Sequence, residues 1–221
     1  MDLDEKAANR QRYESRYAEY GYDPRTLGWT KGRERLRYEM LLAGWPQETS
    51  SVLDVGCGFG DMHAYCRASG RAAWRYTGVD IVPALIEEGR QRHPDADLRV
   101  QDMDVEGLPA GYDIVVASGV FSHRLKDNLG FIARAFEAFA GAAQIGFAAN
   151  FMSPTADIRY DHLFYAEPGA IFDLARRHSR RVVIRHDYMP FEYTVQVHLN
   201  DAFDPDTVVF GAYNHLVSNT P

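Results

Sequence analysis

Cysteine is scarce in this chain: only Cys57 and Cys66 are present, and Cys57 sits inside a glycine-rich turn. That excludes a disulfide-stapled scaffold and makes a reducing, cytoplasmic home the expectation. Long apolar runs are missing too. No stretch approaches the roughly 18 residues a bilayer span needs, so no membrane association is expected. The first ten residues, M-D-L-D-E-K-A-A-N-R, hold no apolar stretch of the kind a secretory signal requires. Basic charge is short, with Lys and Arg totalling 24 against 31 acids, for a net charge of −7. A nucleic-acid footprint needs a basic face to displace counterions, so no nucleic-acid partner is expected. The one basic cluster, residues 25–37, reads either as a solvated helix face or as an anion site. Repeats and low-complexity tracts are also absent.

What remains is strand and helix in alternation. Residues 2–20 are polar and Tyr/Arg-rich and read as a helix, and 21–30 as a loop. Thr30 is placed to cap a second helix that carries Arg33, Leu36, Met40 and Leu41. From residue 51 apolar strands (52–55, 74–80, 97–101, 112–118, 143–150) alternate with helices (61–68, 83–92, 127–139). Such alternation predicts an α/β fold: a doubly wound, mostly parallel sheet with helices on both faces. After a further helix over 167–178, strands at 181–188 and 191–199 are separated by only Met189-Pro190. So short a connection can join only antiparallel strands. Seven strands in all are expected, the chain dividing into an N-terminal helical lid (1–50), the sheet domain (51–199) and a tail (200–221).

The turn after the first strand, S-V-L-D-V-G-C-G-F-G-D over 51–61, concentrates the chemistry. Glycine lets backbone turn tightly and lets a ligand approach where a Cβ would collide. In doubly wound sheets this loop sits at the carboxyl edge, where ligands bind. Its G-x-G-x-G spacing differs from the G-x-G-x-x-G that seats a pyrophosphate. Asp54, just before the first glycine, would repel a pyrophosphate and suits the ammonium of a methionine moiety. Asp80 ends the second strand, where a carboxylate can accept ribose hydroxyls.

Residues 51–61, Asp80-Ile81 and 113–121 resemble the class I S-adenosylmethionine-dependent methyltransferases, with a Rossmann-like sheet whose final strand is inserted antiparallel. The resemblance covers roughly residues 30–199. It implies S-adenosylmethionine as cofactor, leaving as S-adenosylhomocysteine. It places Asp54 and the Gly56-Cys57-Gly58 turn at the methionine portion, Asp80-Ile81 at the ribose and Asp102-Met103 at the adenine edge. Ser118-Gly119 would close the far side. Residues 27–33, L-G-W-T-K-G-R, and the strand pair R-H-D-Y-M-P-F-E-Y-T-V also resemble a bacterial subgroup of small methyltransferases. Trp29 would then be a ring over the cofactor or a helix-packing anchor. Arg37 would meet the methionine carboxylate or lie exposed on its helix.

Methyl transfer from a sulfonium asks the protein mainly to align three atoms and exclude water, so no catalytic signature is expected. A hydroxyl acceptor also benefits from a base, and His123, just past the fourth strand, is the candidate. Asn150, Tyr160 and His162 are candidate acceptor-binding groups, the last two in the 151–167 loop at the functional edge of the sheet. Asp161 and His162 alone make too few ligands for a metal, and none is expected. Arg185-His186-Asp187-Tyr188 reads as an edge strand's polar residues. The expected function is methyl transfer to an O or N atom of a small molecule, by a monomer or homodimer. A nicotinamide-dependent reductase is the alternative, but none of Lys6, Lys31 and Lys126 follows a tyrosine at the Tyr-x-x-x-Lys spacing. A non-catalytic cofactor-binding partner protein is the other. Ser118-Gly119-Val120-Phe121 stands where base-amine methyltransferases carry an Asn/Asp-Pro-Pro-aromatic motif, which also points to a small acceptor.

Overall fold

The computed structural model describes residues 1–29 and 32–217. Helix α1 (Leu3–Tyr20) opens on a capping box. Asp2 accepts from the Glu5 backbone N–H while the Glu5 side chain reaches back to the Asp2 N–H. Helix α2 (Glu34–Leu42) follows, with Arg33 at its N-cap and no side-chain cap bond; the expected cap, Thr30, lies outside the described residues.

The strands are β1 (Ser51–Val55), β2 (Arg75–Asp80), β3 (Asp97–Val100), β4 (Tyr112–Ala117), β5 (Ala143–Met152), β6 (Arg181–Met189) and β7 (Glu192–His198). The helices between them are α3 (Asp61–Ala68), α4 (Pro83–Arg92), α5 (Met103–Glu106), α6 (Asn128–Ala142) and α7 (Pro168–Ala175). They form one seven-stranded sheet in the order β3-β2-β1-β4-β5-β7-β6. β1 to β5 pair in parallel, and β7 enters antiparallel between β5 and β6. This is the doubly wound α/β sheet with an antiparallel closing pair that the strand spacing predicts.

Alternation along each buried strand divides the core in two. Leu53, Val55, Val115 and Phe147 face α6 and α7, while Val52, Ile114, Val116 and Ala148 face α2 and α3. The first layer is rich in phenylalanine, and Phe121 stacks on Phe151 with ring centroids 5.2 Å apart. That pair anchors the chain just beyond β4. The tail is more ordered than its sequence suggests. It forms a short hairpin, β8 (Phe203–Asp204) and β9 (Val209–Phe210), then a 3₁₀ turn (Gly211–Tyr213) and α8 (Asn214–Val217). Arg180 and Arg181 stack over Phe203 and Phe210 and tie the hairpin to the start of β6.

β1 and β4 are neighbours whose connections leave toward opposite sides, which opens a crevice at their carboxyl ends. α4 packs hard against that crevice because Gly89 has no side chain: a Cβ there would collide with the Phe59 carbonyl oxygen. Gly89→Ala should therefore destabilise the fold by about 1–3 kcal/mol, the scale of overpacking. Gly141, in the last turn of α6, has nothing within 4 Å of where a Cβ would stand. Gly141→Ala should stabilise by up to about 1 kcal/mol. Urea melts of the two variants should move in opposite directions; movement in the same direction would refute the packing argument.

Candidate active site

The crevice holds a cavity of about 500 Å³. Its floor is the glycine turn and the β4 loop: Gly56, Cys57, Gly58, Ser118 and Gly119. Gly56 has φ of +72°, and a Cβ on it would lie 2.5 Å from a Val120 methyl, so turn and β4 loop approach as closely as backbone allows. Asp80 braces this floor. One of its oxygens accepts from the Gly58 N–H at 2.9 Å and the other from the Val82 N–H at 2.9 Å. Burial pushes its carboxyl up, while the backbone N–H groups pull the other way. A carboxylate has about four lone-pair sites, so Asp80 keeps capacity for a ligand's hydroxyls. Ile81 packs toward Phe59 and does not line the cavity.

Asp54 is not brought to the cavity. It is 2% exposed, buried in the sheet, and accepts from the Tyr76 hydroxyl at 2.7 Å. Because successive strand residues point to opposite faces, its carboxylate turns into the layer under α2 and α3, which corrects the expected direct contact with a methionine ammonium. Burial pushes its carboxyl up to about 7, with Tyr76 opposing and the Asp80 and Asp61 charges adding to the rise. Asp102 and Met103 also stand off. Asp102 caps α5 through the Asp104 N–H, and Lys6 of α1 grips both its oxygens at 2.8–2.9 Å. Met103 packs against the phenylalanine layer.

The roof comes from the N-terminal segment. Leu27 covers Gly58, Trp29 covers Gly119, and Tyr13 and Arg16 project from α1. Trp29 is both things its sequence context allowed: it lines the cavity and packs edge-on against Tyr38. Arg37 stacks over Trp29 and lines the cavity, but its Nε donates to Glu192 at 2.7 Å. The rest of the 25–37 cluster disperses: Arg25 pairs with Asp23 and Arg35 lies over Tyr65.

Glu192, at the start of β7, is a functional candidate that the sequence reading missed. It is 4% exposed and accepts from Arg37, the Asn150 amide at 3.2 Å and the Tyr188 hydroxyl at 3.3 Å. Burial raises its carboxyl, opposed chiefly by Arg37. Asn150 does not line the cavity; it sits beneath, its Oδ1 accepting from the Gly119 N–H at 2.7 Å. The sequence signal for Glu192 is an acid that opens a strand also carrying Thr194, Gln196 and His198, which does not set it apart. Arg185, His186 and Asp187 are solvent-facing, as expected of an edge strand.

His123 does line the cavity. The 151–167 loop is zipped to it, with Arg124 N–H donating to His162 O and Phe164 N–H to Ser122 O at 3.0 and 2.9 Å. Its Nε2 lies 3.3 Å from the Tyr13 hydroxyl, and its Nδ1 is buried with no hydrogen-bond partner in the protein. Burial, followed by the charges of Arg12, Arg16 and His162, pushes the imidazole down to about 4. Tyr160 and His162 stand at the exposed rim. Among the described residues no three His, Cys, Asp or Glu side chains cluster to hold a metal. No helix among them is long and apolar enough to cross a membrane.

The Asp54 environment carries a pH signature. Unfolded, its carboxyl titrates near 4; folded, at about 7. Between those values the native state holds the extra proton, so native stability falls as pH rises through the interval. Asp54→Asn keeps an acceptor for Tyr76 and cannot ionise. Its stability relative to the unmodified chain should therefore grow between about pH 4 and 7 and then level off, as urea titrations would measure. A pH-independent difference would rule out the buried-acid account.

Similarity to known proteins agrees with this geometry. A family model described as a methyltransferase domain matches residues 52–140. A Mycobacterium tuberculosis protein named as a candidate methyltransferase is 32% identical over 154 residues, which is 66% of this chain and 92% of that protein. Among solved structures, magnesium protoporphyrin IX methyltransferase from Synechocystis aligns with a TM-score of 0.61 at 15% identity, covering 89% of this chain and 98% of that one. DesVI of Streptomyces venezuelae aligns at 0.58 and 18% identity, covering 79% and 95%. At such identities these structures speak for the fold, whereas the mycobacterial relative speaks for the family. The glycine-floored crevice braced by Asp80 has the form the cofactor requires, and the chain belongs to the class I S-adenosylmethionine-dependent methyltransferases.

Proposed function

We propose that this enzyme transfers a methyl group to an oxygen or nitrogen of a small-molecule acceptor held between the β4 loop and the 151–167 loop. One observation carries the reading. The cavity that has Gly56, Cys57, Gly58, Ser118 and Gly119 on its floor is also lined by Ser122, His123, Met152, Leu163, Tyr165 and Phe191, and by Tyr13 and Arg16 of α1. About 500 Å³ under a roof suits two small molecules rather than a polymer. The net charge of −7 agrees.

S-adenosylmethionine, when bound, supplies a methyl group already activated on a sulfonium. The residues that fit it are Gly56, Cys57 and Gly58 beneath, Asp80 at the ribose, and Ser118 and Gly119 across from them. Trp29 covers the site, and the Arg37–Glu192–Asn150 chain holds the Gly119 backbone in place. α1 and the following loop act as a lid that excludes water, which matters because a displacement slows when the nucleophile stays hydrated. His123 is the candidate base. It lines the cavity, its Nε2 meets the Tyr13 hydroxyl, and burial keeps the ring neutral at physiological pH. Two buried free thiols, Cys57 and Cys66, fit work in the cytoplasm.

Calorimetry should detect S-adenosylhomocysteine binding and no NADH binding; the converse would sink the reading. Asp80→Ala should weaken that binding by about 1–2 kcal/mol, the scale for losing a charge-assisted partner. His123→Ala should lower methyl transfer to small phenols, acids or amines while leaving cofactor affinity nearly unchanged. Full activity would remove His123 as a base, and transfer to RNA or protein alone would remove the small-molecule acceptor.

A further inference from the structure

We propose that the acceptor carries an anionic group, a carboxylate or a phosphate, and that Arg16 on the lid helix binds it. The inference rests on the methyltransferase reading and names the class of its acceptor. Arg16 lines the cavity, and among the described residues no carboxylate lies within 4 Å of its guanidinium. That separates it from Arg37, which Glu192 already neutralises. The guanidinium lies close against the loop that follows α1. Its Nη1 lies 2.9 Å from the position a Gly28 Cβ would take, and Gly28 has φ of +78°, so only glycine both makes this turn and leaves room for the arginine. The Thr26 hydroxyl bonds the Arg16 and Gly21 carbonyls and fixes the return of that loop.

The surroundings set the sign of the ligand. Arg12 lies one turn before Arg16, and among the described residues its guanidinium bonds the Asn9 amide oxygen and no acid. His123 and His162 line the same cavity, and the charges of Arg12, Arg16 and His162 all bear on His123. Of the acids lining the cavity, Glu192 is paired with Arg37 and Asp80 is tied to the Gly58 and Val82 N–H groups on the cofactor side. Asp157 stands at the exposed rim. An uncompensated guanidinium under a roof is a planar fork suited to a carboxylate or phosphate. The apolar and aromatic walls, Met152, Leu163, Tyr165 and Phe191, suit a hydrophobic body behind that anion.

The test uses the full chain loaded with S-adenosylhomocysteine and three probes of like shape: benzoate, phenyl phosphate and neutral benzamide. By calorimetry, one anion should bind at least roughly tenfold tighter than benzamide, and the tighter anion tells carboxylate from phosphate. Arg16→Gln should bring the anions down to the benzamide level, leaving benzamide and S-adenosylhomocysteine affinities unchanged, while Arg16→Lys should keep part of the preference. Equal binding of all three probes, or a preference that survives in Arg16→Gln, overturns the proposal. A roughly tenfold loss of S-adenosylhomocysteine affinity in Arg16→Gln, absent for its decarboxylated analogue, also overturns it and assigns Arg16 to the cofactor's own carboxylate. If the unmodified chain fails to bind S-adenosylhomocysteine, the methyltransferase reading fails. The same probes on the unloaded chain then decide the anion site separately.

Discussion

The N–H groups of Gly58 and Val82 converge on the carboxylate of Asp80, one on each oxygen. The first belongs to the turn after β1 and the second to the turn after β2, so one side chain sets the spacing of two loops at the mouth of the sheet. Much else hangs on that spacing. Gly56 can meet Val120 only if the turn sits low, and Leu27 can cover Gly58 only if the turn faces upward. Gly89 lets α4 come up against Phe59 from below. Asp80 is thus a structural brace, and the strand end that makes it one also places it on the wall of the cavity.

On the opposite wall the Arg37–Glu192–Asn150 chain does for the β4 loop what Asp80 does for the glycine turn. Three elements distant in sequence, α2, β7 and β5, contribute one member each, and the chain ends on the Gly119 N–H. A buried carboxylate is tolerated there because it accepts three hydrogen bonds, one from a guanidinium. The antiparallel insertion of β7 is what carries Glu192 to the cofactor edge. The chain enters this strand from the carboxyl end of the sheet, so its first residue lies where its parallel neighbours place their last.

The mostly parallel sheet, its antiparallel closing pair and the glycine turn were legible because each rests on local pattern: apolar runs of strand length, a glycine-rich turn after the first strand, a two-residue link that permits only an antiparallel pair. His123, Trp29, Gly119 and Asp80 reach the cavity because they lie at strand ends or in the loops around them, positions that sequence alone can locate. Asp54 misled because the alternation of a buried strand, rather than nearness to the glycines, decides which face a carboxylate meets. Asp102 misled because its partner, Lys6, is on a helix whose docking site no local pattern reveals. Glu192 and Arg16 were invisible for the same reason. Their roles come from what lies across the cavity, not from what adjoins them in the chain.

Helix α1 is held to the rest of the fold in a way of its own. α1 has no fully buried side chain. Polar pairs pin it at the edges, Lys6 to Asp102 and Asp104, Lys126 to Asp2 and the Tyr17 hydroxyl to Glu88, while Tyr13 and Tyr17 pack against Phe59, Val82 and Leu85. Partly exposed pairs of this kind hold weakly and are screened by salt. The grip of α1 is therefore divided between charge and two tyrosine rings, so salt weakens one part of it and leaves the other.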